Sequence, residues 1–398
     1  MATVNAIPED RVREFINNLL TSVIDDLMTP NGRPSISLKK RLNKGQYRIN
    51  AKNGALESVG RELLMTYSWP GKTVYEAWRF AISIRVLSLI SKAMNENIVV
   101  SKRDLYYNDP VYFGSQRVVD TLVDDIAYTI GVDRSALHVN AAAKGLTAGD
   151  CLLKMTSQGW KDIGLGEDIL IPPPGNIEDV DMLGIQWVLV VEKEVGMILE
   201  TMCLGLPEKT VKAIFRRLVG TRYYVNSAAG KGVLITGKGY PDLSTRAFIR
   251  QLYDSKHQKL KSQTRQPEHF YILVDSDPDG MDIMSTYKYG SMAHAHENEK
   301  LNVPGIQWLG LRTSDVVAEA DYQGDDPLIP LTARDRKKAV SMLKNNPAFA
   351  EDGPETEWRL ELQQMLMLNL KVETEILYER EGGLEGWIHR HMKEQASS

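Results

Sequence analysis

Cysteine is scarce in this sequence, and long apolar runs are missing. Only Cys151 and Cys203 occur among 398 residues, so neither a disulfide framework nor a zinc site is indicated. No window of about 18 uninterrupted apolar residues occurs, so no transmembrane helix is predicted. The first residues, MATVNAIPEDRVREF, lack the apolar core of a signal peptide. We therefore expect an intracellular protein that has no membrane partner.

Charge and length set the next limits. The length predicts two domains or three segments. The formal net charge of −4 taken alone argues against a nucleic-acid partner. The charge is unevenly distributed, however, because residues 33–52 contain no acidic side chain and seven basic ones, namely Arg33, Lys39, Lys40, Arg41, Lys44, Arg48 and Lys52. This basic arm is either a solvated flexible segment or one that follows phosphates, and the pattern leaves both open.

The first 170 residues indicate a helical domain that follows an N-terminal segment. Apolar spacing predicts a helix over 11–28, and with the basic arm it makes up residues 1–60. Residues 61–170 combine helical stretches with short extended ones, an order that fits a winged helix. In QRVVDTLVDDIAYTI we expect an apolar stripe with acids on the opposite face: Val118, Leu122, Ile126 and Ile130 against Asp120, Asp124 and Asp125. IPPPGNIEDV reads as a linker.

Residues 171–398 have a different sequence pattern. Short runs rich in β-branched residues alternate with helical stretches, and the runs are QWVLVVE, GVLITGKG, HFYILVD and GIQWLGL. Strands that alternate with helices predict a parallel sheet covered on both faces. From Leu331 onward the tail is mostly helical. The whole chain is therefore expected to be a multidomain α/β protein.

Acidic residues follow two of the predicted strands. WVLVV runs into Glu192, and FYILV runs into DSDPDG, which contains Asp275, Asp277 and Asp279. Parallel strands place their carboxyl ends at one edge of a sheet, where ligands bind. Clustered carboxylates repel one another unless a cation neutralises them, and oxygen ligands suit Mg²⁺. A Glu after a strand also commonly caps the next helix, so the metal site rests on the combination of both clusters.

With these motifs in view, the sequence resembles the A subunit of topoisomerase VI and its eukaryotic relatives that make meiotic double-strand breaks. The resemblance runs from about residue 60 to the C-terminus, and 113–149 is closer to the meiotic proteins. It implies a winged-helix (CAP-like) domain followed by a Toprim domain. The motifs that carry it, in order, are SKRDLYY, AAAKGLTAG, VVEKE, TGKGYPDLSTR, DSDPDG, WLGLRTSD, PLTARDRKKAVSML and EWRLELQQML.

Two departures from the family pattern stand out. The family commonly has an aromatic or other residue where Asp279 stands, so this third carboxylate adds a charge without an assigned role. The segment at about 205–230 is longer than usual and is interpreted as a lineage-specific insertion.

The resemblance implies transesterification by a tyrosine. It selects Tyr107 as the nucleophile, leaving Tyr106 a packing role. A phenol has a reference pKa near 10, so it needs a proton acceptor or nearby positive charge. Arg103 is expected to stabilise phosphate or phenolate. Glu192, Asp275 and Asp277 are expected to hold Mg²⁺, and the product is a 5′-phosphotyrosyl link.

The resemblance also implies partners. It implies binding to double-stranded DNA and a homodimer whose protomers share active sites. It also implies a topoisomerase-VI-B-like subunit, meiotic accessory proteins and a location on nuclear chromosomes. It places the enzyme with the type IIB topoisomerases, an ATP-hydrolysing class. The chain itself has no GxxxxGK[ST] phosphate loop. The alternatives are an A subunit of topoisomerase VI, a non-cleaving DNA-binding scaffold and a Toprim nuclease that uses water.

Further residues outside the proposed catalytic set are also interpreted. Lys238 and Tyr240 in TGKGYPD are either DNA contacts or parts of a packed loop. Lys144 is expected to touch the DNA backbone at the winged-helix face. Arg246 is interpreted as a surface charge on a helix. The helix at 11–28 is either a surface for the B-like partner or an ordinary packing helix.

Overall fold

The computed structural model describes residues 7–40, 46–60, 63–140, 143–157, 159–164, 168–182, 184–192, 214–259, 269–319 and 328–397. None of the described helices combines the length and apolar character needed to cross a membrane. The chain forms two compact units. The first unit contains 1–46 and 59–142, and the second contains 47–58 and 143–398. Of the predicted insertion, residues 205–213 lie outside the described residues.

The elements up to residue 142 are mainly helical. A short 3-10 helix covers Arg134–Leu137. The helices and strands are α1 (Pro8–Met28), β1 (Ser35–Lys40), β2 (Gln46–Ile49), β3 (Leu56–Val59), β4 (Leu63–Ser68), α2 (Val74–Asn95), β5 (Val100–Ser101), α3 (Lys102–Tyr107), α4 (Pro110–Phe113), α5 (Gln116–Ile130) and β6 (Val139–Asn140).

The rest of the chain alternates strands and helices. Further 3-10 helices lie at Pro174–Asn176, Met292–His294, Pro347–Phe349 and Thr374–Tyr378. The helices and strands are β7 (Leu146–Gly149), β8 (Leu152–Met155), β9 (Gly159–Asp162), β10 (Ile169–Leu170), β11 (Ile177–Asp181), β12 (Trp187–Val191), α6 (Ile214–Gly220), α7 (Tyr223–Asn226), β13 (Gly232–Thr236), α8 (Leu243–Lys259), β14 (His269–Leu273), α9 (Pro278–Lys288), α10 (Asn298–Leu301), β15 (Ile306–Gly310), α11 (Thr313–Glu319), β16 (Leu328–Pro330), α12 (Ala333–Asn345), α13 (Thr356–Leu368), β17 (Leu370–Val372) and α14 (Gly383–Ser397).

The first unit packs its helices around an apolar core. Strands β1 and β4 pair antiparallel, and β5 pairs parallel with β6. The apolar stripe of α5 is buried at Leu122 and Ile126, as its spacing predicts. The expectation that the acids of α5 face away is wrong for Asp124 and Asp125, which are buried as well. Asp124 is buried because basic side chains of neighbouring elements neutralise it.

The described part of the basic arm is folded into strands. It contains β1 and β2, so the flexible-arm interpretation does not hold for these residues, while 41–45 lie outside the described residues. The hairpin of β2 and β3 (residues 47–58) belongs to the second unit. The Leu56 carbonyl accepts a bond from the Asn298 amide at 2.9 Å, and its N–H donates to the Tyr289 carbonyl at 2.8 Å. The Asn302 amide donates to the Asn53 carbonyl at 2.8 Å.

A six-stranded sheet forms the centre of the second unit, in the order β10-β7-β13-β12-β14-β15. Strands β13, β12, β14 and β15 are parallel, as expected. The sheet as a whole is mixed, whereas a parallel sheet was predicted, because β7 and β10 add at one edge in antiparallel pairing. Gly149 of β7 permits this pairing, since a Cβ there would lie 2.8 Å from the Cα of Val233.

Both faces of this sheet are covered. Alternate residues of β12 join different apolar clusters: Val188 and Val190 pack on one side, and Leu189 and Val191 on the other. Residues of α8, α9, α12 and α13 pack on the first side, and residues of α6, α7 and α14 on the second. Parallel strands buried on both faces account for the continuous apolar run in the sequence.

The boundary between the units lies upstream of the predicted one. The contacts change after residue 142, whereas the sequence places the boundary at 170/171. Residues 143–170 belong to the second unit because β7 and β10 are strands of its large sheet. The predicted linker IPPPGNIEDV includes all but the last residue of β11, which pairs with β8 in a three-stranded sheet in the order β11-β8-β9.

Candidate active site

The segment SKRDLYY forms a short, firmly capped helix, α3. The Ser101 hydroxyl accepts from the Asp104 N–H at 3.0 Å, and the Asp104 carboxylate accepts from the Ser101 N–H at 2.8 Å. This reciprocal pair satisfies two otherwise unpaired donors at the helix start. The bonds from Ser101 lower the pKa of Asp104. The cap therefore fixes where the helix begins, and with it the direction of its side chains.

Arg103 and Tyr107 lie on the same face of α3, four residues apart. The Arg103 Nη2 donates to the Tyr107 hydroxyl at 3.3 Å, and the guanidinium carbon lies 5.6 Å from the centre of the ring. The hydrogen bond to Tyr107 raises the pKa of Arg103, so the guanidinium stays charged. Tyr107 remains 57% exposed. An accessible phenol with a permanent positive charge at its oxygen is the arrangement expected of an activated tyrosine.

Tyr106 has a different environment. It packs against the apolar core of the first unit, and its ring centre lies 5.4 Å from that of Tyr107. Leu105, the preceding residue, is buried. The placement fits the packing role expected for Tyr106, and it leaves Tyr107 as the tyrosine of the pair that faces solvent.

Lys102 attaches α3 to α5. Its ammonium donates to the Asp124 carboxylate and to the Asp120 carbonyl, the latter at 3.2 Å. Arg134 also lies 3.3 Å from the same Asp124 oxygen. Burial, with Arg134 nearby, lowers the pKa of Lys102. Lys102 was not among the predicted site residues, although it stands beside Arg103 in the motif.

At the carboxyl ends of β12 and β14, Glu192 and Asp275 are brought together. The Asp275 N–H donates to Glu192 Oε2 at 3.0 Å across 83 residues of sequence. Asp275 is only 3% exposed, and its Oδ1 accepts from the Thr374 N–H and hydroxyl at 3.0 and 2.7 Å. Gly280 allows the close approach, because a Cβ there would lie 2.3 Å from the Asp275 carbonyl oxygen.

Asp277 caps α9. Its Oδ1 accepts from the Gly280 N–H at 2.8 Å, and its Oδ2 lies 3.5 Å from the Lys371 ammonium. Lys371 in turn lies 3.3 Å from the Asp335 carboxylate. Burial raises the pKa of Asp277, with the Asp275 charge acting in the same direction, and the Gly280 bond opposes the rise. Lys371 thus offsets part of the negative charge at Asp277.

The donor chemistry of these three residues fits magnesium, since Glu192, Asp275 and Asp277 present only carboxylate oxygens. Over the described ranges, no three His, Cys, Asp or Glu side chains are arranged as a metal-binding group. The Lys371 ammonium lies 3.5 Å from Asp277 and supplies positive charge on that side. A bound cation must therefore share Asp277 with Lys371.

The loop after β13 lies against Glu192. The Gly239 N–H donates to the Glu192 carbonyl at 2.8 Å, and the Thr236 hydroxyl donates to it at 3.3 Å. Lys144 also joins this loop, with its ammonium 3.3 Å from the Lys238 carbonyl. Burial lowers the pKa of Lys144. Lys144 belongs to the second unit, not to the winged-helix face where it was expected.

Tyr240, on the same loop, contacts two carboxylates of α9. Its hydroxyl donates to Asp279 at 3.2 Å and to Asp282 at 2.7 Å. The Lys338 ammonium of α12 bonds to Asp279 and lies 3.1 Å from Asp282. Burial, with the Asp282 charge, raises the pKa of Tyr240, so the hydroxyl keeps its proton. Asp279, the departure from the family pattern, therefore pairs with α12.

Arg246 is not a surface charge. It is 1% exposed, and its Nη2 donates to the Asn298 side-chain oxygen at 3.1 Å. The same Asn298 holds Leu56 of the hairpin, so Arg246 supports the packing of residues 47–58.

Comparisons with known proteins find relatives that match most of the chain. Residues 208–384 match the model of the Toprim domain shared by the A subunit of topoisomerase 6 and Spo11, and residues 78–139 match the model "Type IIB DNA topoisomerase". The chain is 31% identical to human meiotic recombination protein SPO11, over 91% of this chain and 82% of the relative. It is 32% identical to Arabidopsis thaliana SPO11-1, over 92% of this chain and 89% of that relative. Identity to the A subunit of DNA topoisomerase 6 from the same plant is 30%, over 77% of this chain and 64% of that relative.

Proposed function

Because the chain belongs to the family of Spo11 and the topoisomerase VI A subunits, we propose that it is a DNA-cleaving transesterase that forms meiotic double-strand breaks. The observation that carries the chemistry is the bond from Arg103 to the exposed Tyr107 hydroxyl. The meiotic assignment is supported by the meiotic relatives, which match the chain over nearly its whole length. It initiates homologous recombination on chromosomes in the nucleus.

The reaction begins at the Tyr107 oxygen. This oxygen attacks a DNA phosphorus, the bond from phosphorus to the 3′ oxygen breaks, and the 5′ phosphate remains on the tyrosine. The phenol loses its proton as the new bond forms, and the departing 3′ oxygen takes one up. Arg103 stabilises the negative charge on the phenol oxygen and on the phosphate, because its guanidinium stays protonated at any physiological pH.

Glu192, Asp275 and Asp277 are the residues that would hold magnesium. When bound, the metal supplies positive charge that offsets charge on the phosphodiester oxygens. The Thr374 and Gly280 bonds orient Asp275 and Asp277 before any ligand arrives. A homodimer supplies two copies of Tyr107 and two sets of carboxylates, which allows both strands of the duplex to be cut.

The first unit is proposed to be the winged-helix domain, and Lys144, Lys238 and Tyr240 are proposed to contact double-stranded DNA. Their support is the loop after β13, which gathers these residues beside Glu192. Contacts to phosphates alone give sequence-tolerant, salt-dependent affinity. Because the sequence has no GxxxxGK[ST] loop, ATP hydrolysis is assigned to a topoisomerase-VI-B-like partner, which acts with meiotic accessory proteins.

A covalent-adduct experiment tests the function. Protein and end-labelled DNA are incubated with Mg²⁺ and the B-like partner, denatured, and examined for protein linked to 5′ ends. Wild type and Tyr106→Phe are expected to form the adduct, and Tyr107→Phe to form none. An adduct that survives in Tyr107→Phe and disappears in Tyr106→Phe would overturn the assignment. No adduct in any variant would favour the non-cleaving scaffold.

The second candidate is an A subunit of topoisomerase VI, favoured by the match to the plant topoisomerase. Both functions use the same adduct, so cleavage does not separate them. ATP-dependent relaxation of supercoiled DNA in the presence of the partner would assign the chain to the topoisomerases. Cleavage without religation supports the meiotic function.

A further inference from the structure

Asp279 contacts basic side chains of α12. It lies in the same first turn of α9 that Asp277 caps. Its carboxylate bonds to the Lys338 ammonium and accepts from the Tyr240 hydroxyl at 3.2 Å. Arg334 lies 3.9 Å from its other oxygen. Asp279 is therefore paired with basic side chains of α12.

The partner of Asp279 belongs to a strongly basic surface. The first two turns of α12 carry Arg334, Arg336, Lys337 and Lys338 within five positions. The Arg334 side chain is 83% exposed, and Lys337 is exposed too. The Lys338 ammonium also lies 4.8 Å from the centre of the half-exposed Tyr240 ring. Basic side chains beside an accessible aromatic ring are typical of nucleic-acid contact.

Two carboxylates hold Lys338 at present. Asp279 and Asp282 flank its ammonium, and the side chains of all three are between a fifth and a third exposed. Ion pairs with this much solvent access are weak and exchange partners readily. An arriving phosphate would meet attraction from Lys338 and Arg334 and repulsion from Asp279, so the carboxylate and the phosphate compete for one cation.

We propose that the basic surface of α12, formed by Arg334, Lys337 and Lys338, contacts DNA phosphates, and that Asp279 is an internal competitor for Lys338. In the DNA-free protein Asp279 masks Lys338. When DNA binds, a phosphate takes the place of Asp279. The inference rests on the proposed function, because it takes DNA as the ligand.

Equilibrium binding of a fluorescein-labelled DNA duplex, followed by anisotropy across a salt titration, tests the proposal. All proteins are full-length and carry Tyr107→Phe, so that no covalent link forms. Asp279→Asn is expected to bind about five-fold more tightly than its parent at low salt. Its salt dependence should be steeper by about 0.9 in the log–log slope, because in the parent the displaced Asp279 carboxylate takes up a cation and so cancels the counterion released at the Lys338 phosphate contact. Adding Lys338→Gln to Asp279→Asn should abolish both gains.

Asp352→Asn is the matched control, since it removes one exposed acid from a turn outside the basic surface. Thermal melting verifies that each variant is folded. The proposal is overturned if Asp279→Asn binds no tighter than Asp352→Asn, or if the gain persists when Lys338 is replaced. Because binding is read without cleavage, a missing adduct in wild type would defeat the proposed function and leave this result standing.

Discussion

Lys102 and Asp124 form a buried ion pair that joins the helix of the candidate nucleophile to the core helix α5. Only 11% of the Lys102 side chain and 9% of the Asp124 side chain are exposed. Because Arg103 and Tyr107 follow Lys102 on the same six-residue helix, this pair sets where α3 sits on its unit. Lys102, which positions α3, is thus distinct from Arg103, which is proposed to activate Tyr107.

Lys102→Met is expected to loosen α3. It removes the Lys102 ammonium from the buried Asp124 carboxylate, at a cost of about 2 kcal/mol in the free energy of unfolding. Hydrogen–deuterium exchange of the peptide containing residues 100–110 should become faster, and adduct formation should fall. Lys92→Met is the control, since Lys92 forms an exposed pair with Glu96 at 3.9 Å. Equal exchange rates in both variants would contradict the positioning role.

Lys371→Met is expected to increase the response to Mg²⁺. The variant removes the ammonium that lies between Asp277 and Asp335, so a metal ion no longer shares Asp277 with it. We expect apparent Mg²⁺ affinity to rise about ten-fold, or ~1.4 kcal/mol, measured as the Mg²⁺ dependence of thermal melting. Lys344→Met, an exposed lysine of α12, is the control. A Mg²⁺ response unchanged from wild type would count against the carboxylate site.

Gly232→Ala is expected to destabilise the second unit. A Cβ at Gly232 would lie 2.2 Å from the ring of Trp187, which stands opposite it in the neighbouring strand. Overpacking of this kind costs about 2 kcal/mol or more in a buried sheet. Thermal melting should show the loss, whereas Gly220→Ala, whose added Cβ meets nothing within 4 Å, should melt close to wild type. Similar melting of the two variants would refute the packing argument.

Cys151 is expected to resist thiol reagents in the folded protein. The side chain is buried, and burial raises the pKa of the thiol to about 12. The folded state therefore keeps the thiol protonated, while the unfolded chain ionises near the ordinary value. The contribution of this thiol to the free energy of unfolding is fully present at neutral pH. It declines as the pH rises from the ordinary thiol pKa toward 12. In Cys203→Ser, a disulfide reagent at pH 8 should react only after urea is added; rapid reaction without urea would disagree.

The sequence predicts the parts of this structure that depend on neighbouring residues. The strands that precede Glu192 and Asp275 are short, continuously apolar and β-branched, so both the strands and the acidic ends were recognisable. The four parallel strands and the cover on both faces are confirmed. The family resemblance is confirmed by the relatives.

Features that depend on distant contacts were not predictable. Thr374 lies 99 residues from Asp275, and Lys371 lies 94 residues from Asp277. No local pattern marks either of them as a partner. Arg246 and Asp124 were expected at the surface because charged residues usually lie there. Both are buried, since each has a partner from another element.

The hairpin at 47–58 constrains the order of events when the protein is made. Its Leu56 carbonyl bonds to Asn298, 242 residues later in the chain. At a synthesis rate of about 5–20 residues per second, the hairpin must wait roughly 10 to 50 seconds for its partner to be made. An early-synthesised segment thus completes a late-synthesised unit. Expressing 143–398 alone would omit the hairpin, and the second unit would then lack residues 47–58 and their bonds to Asn298 and Asn302.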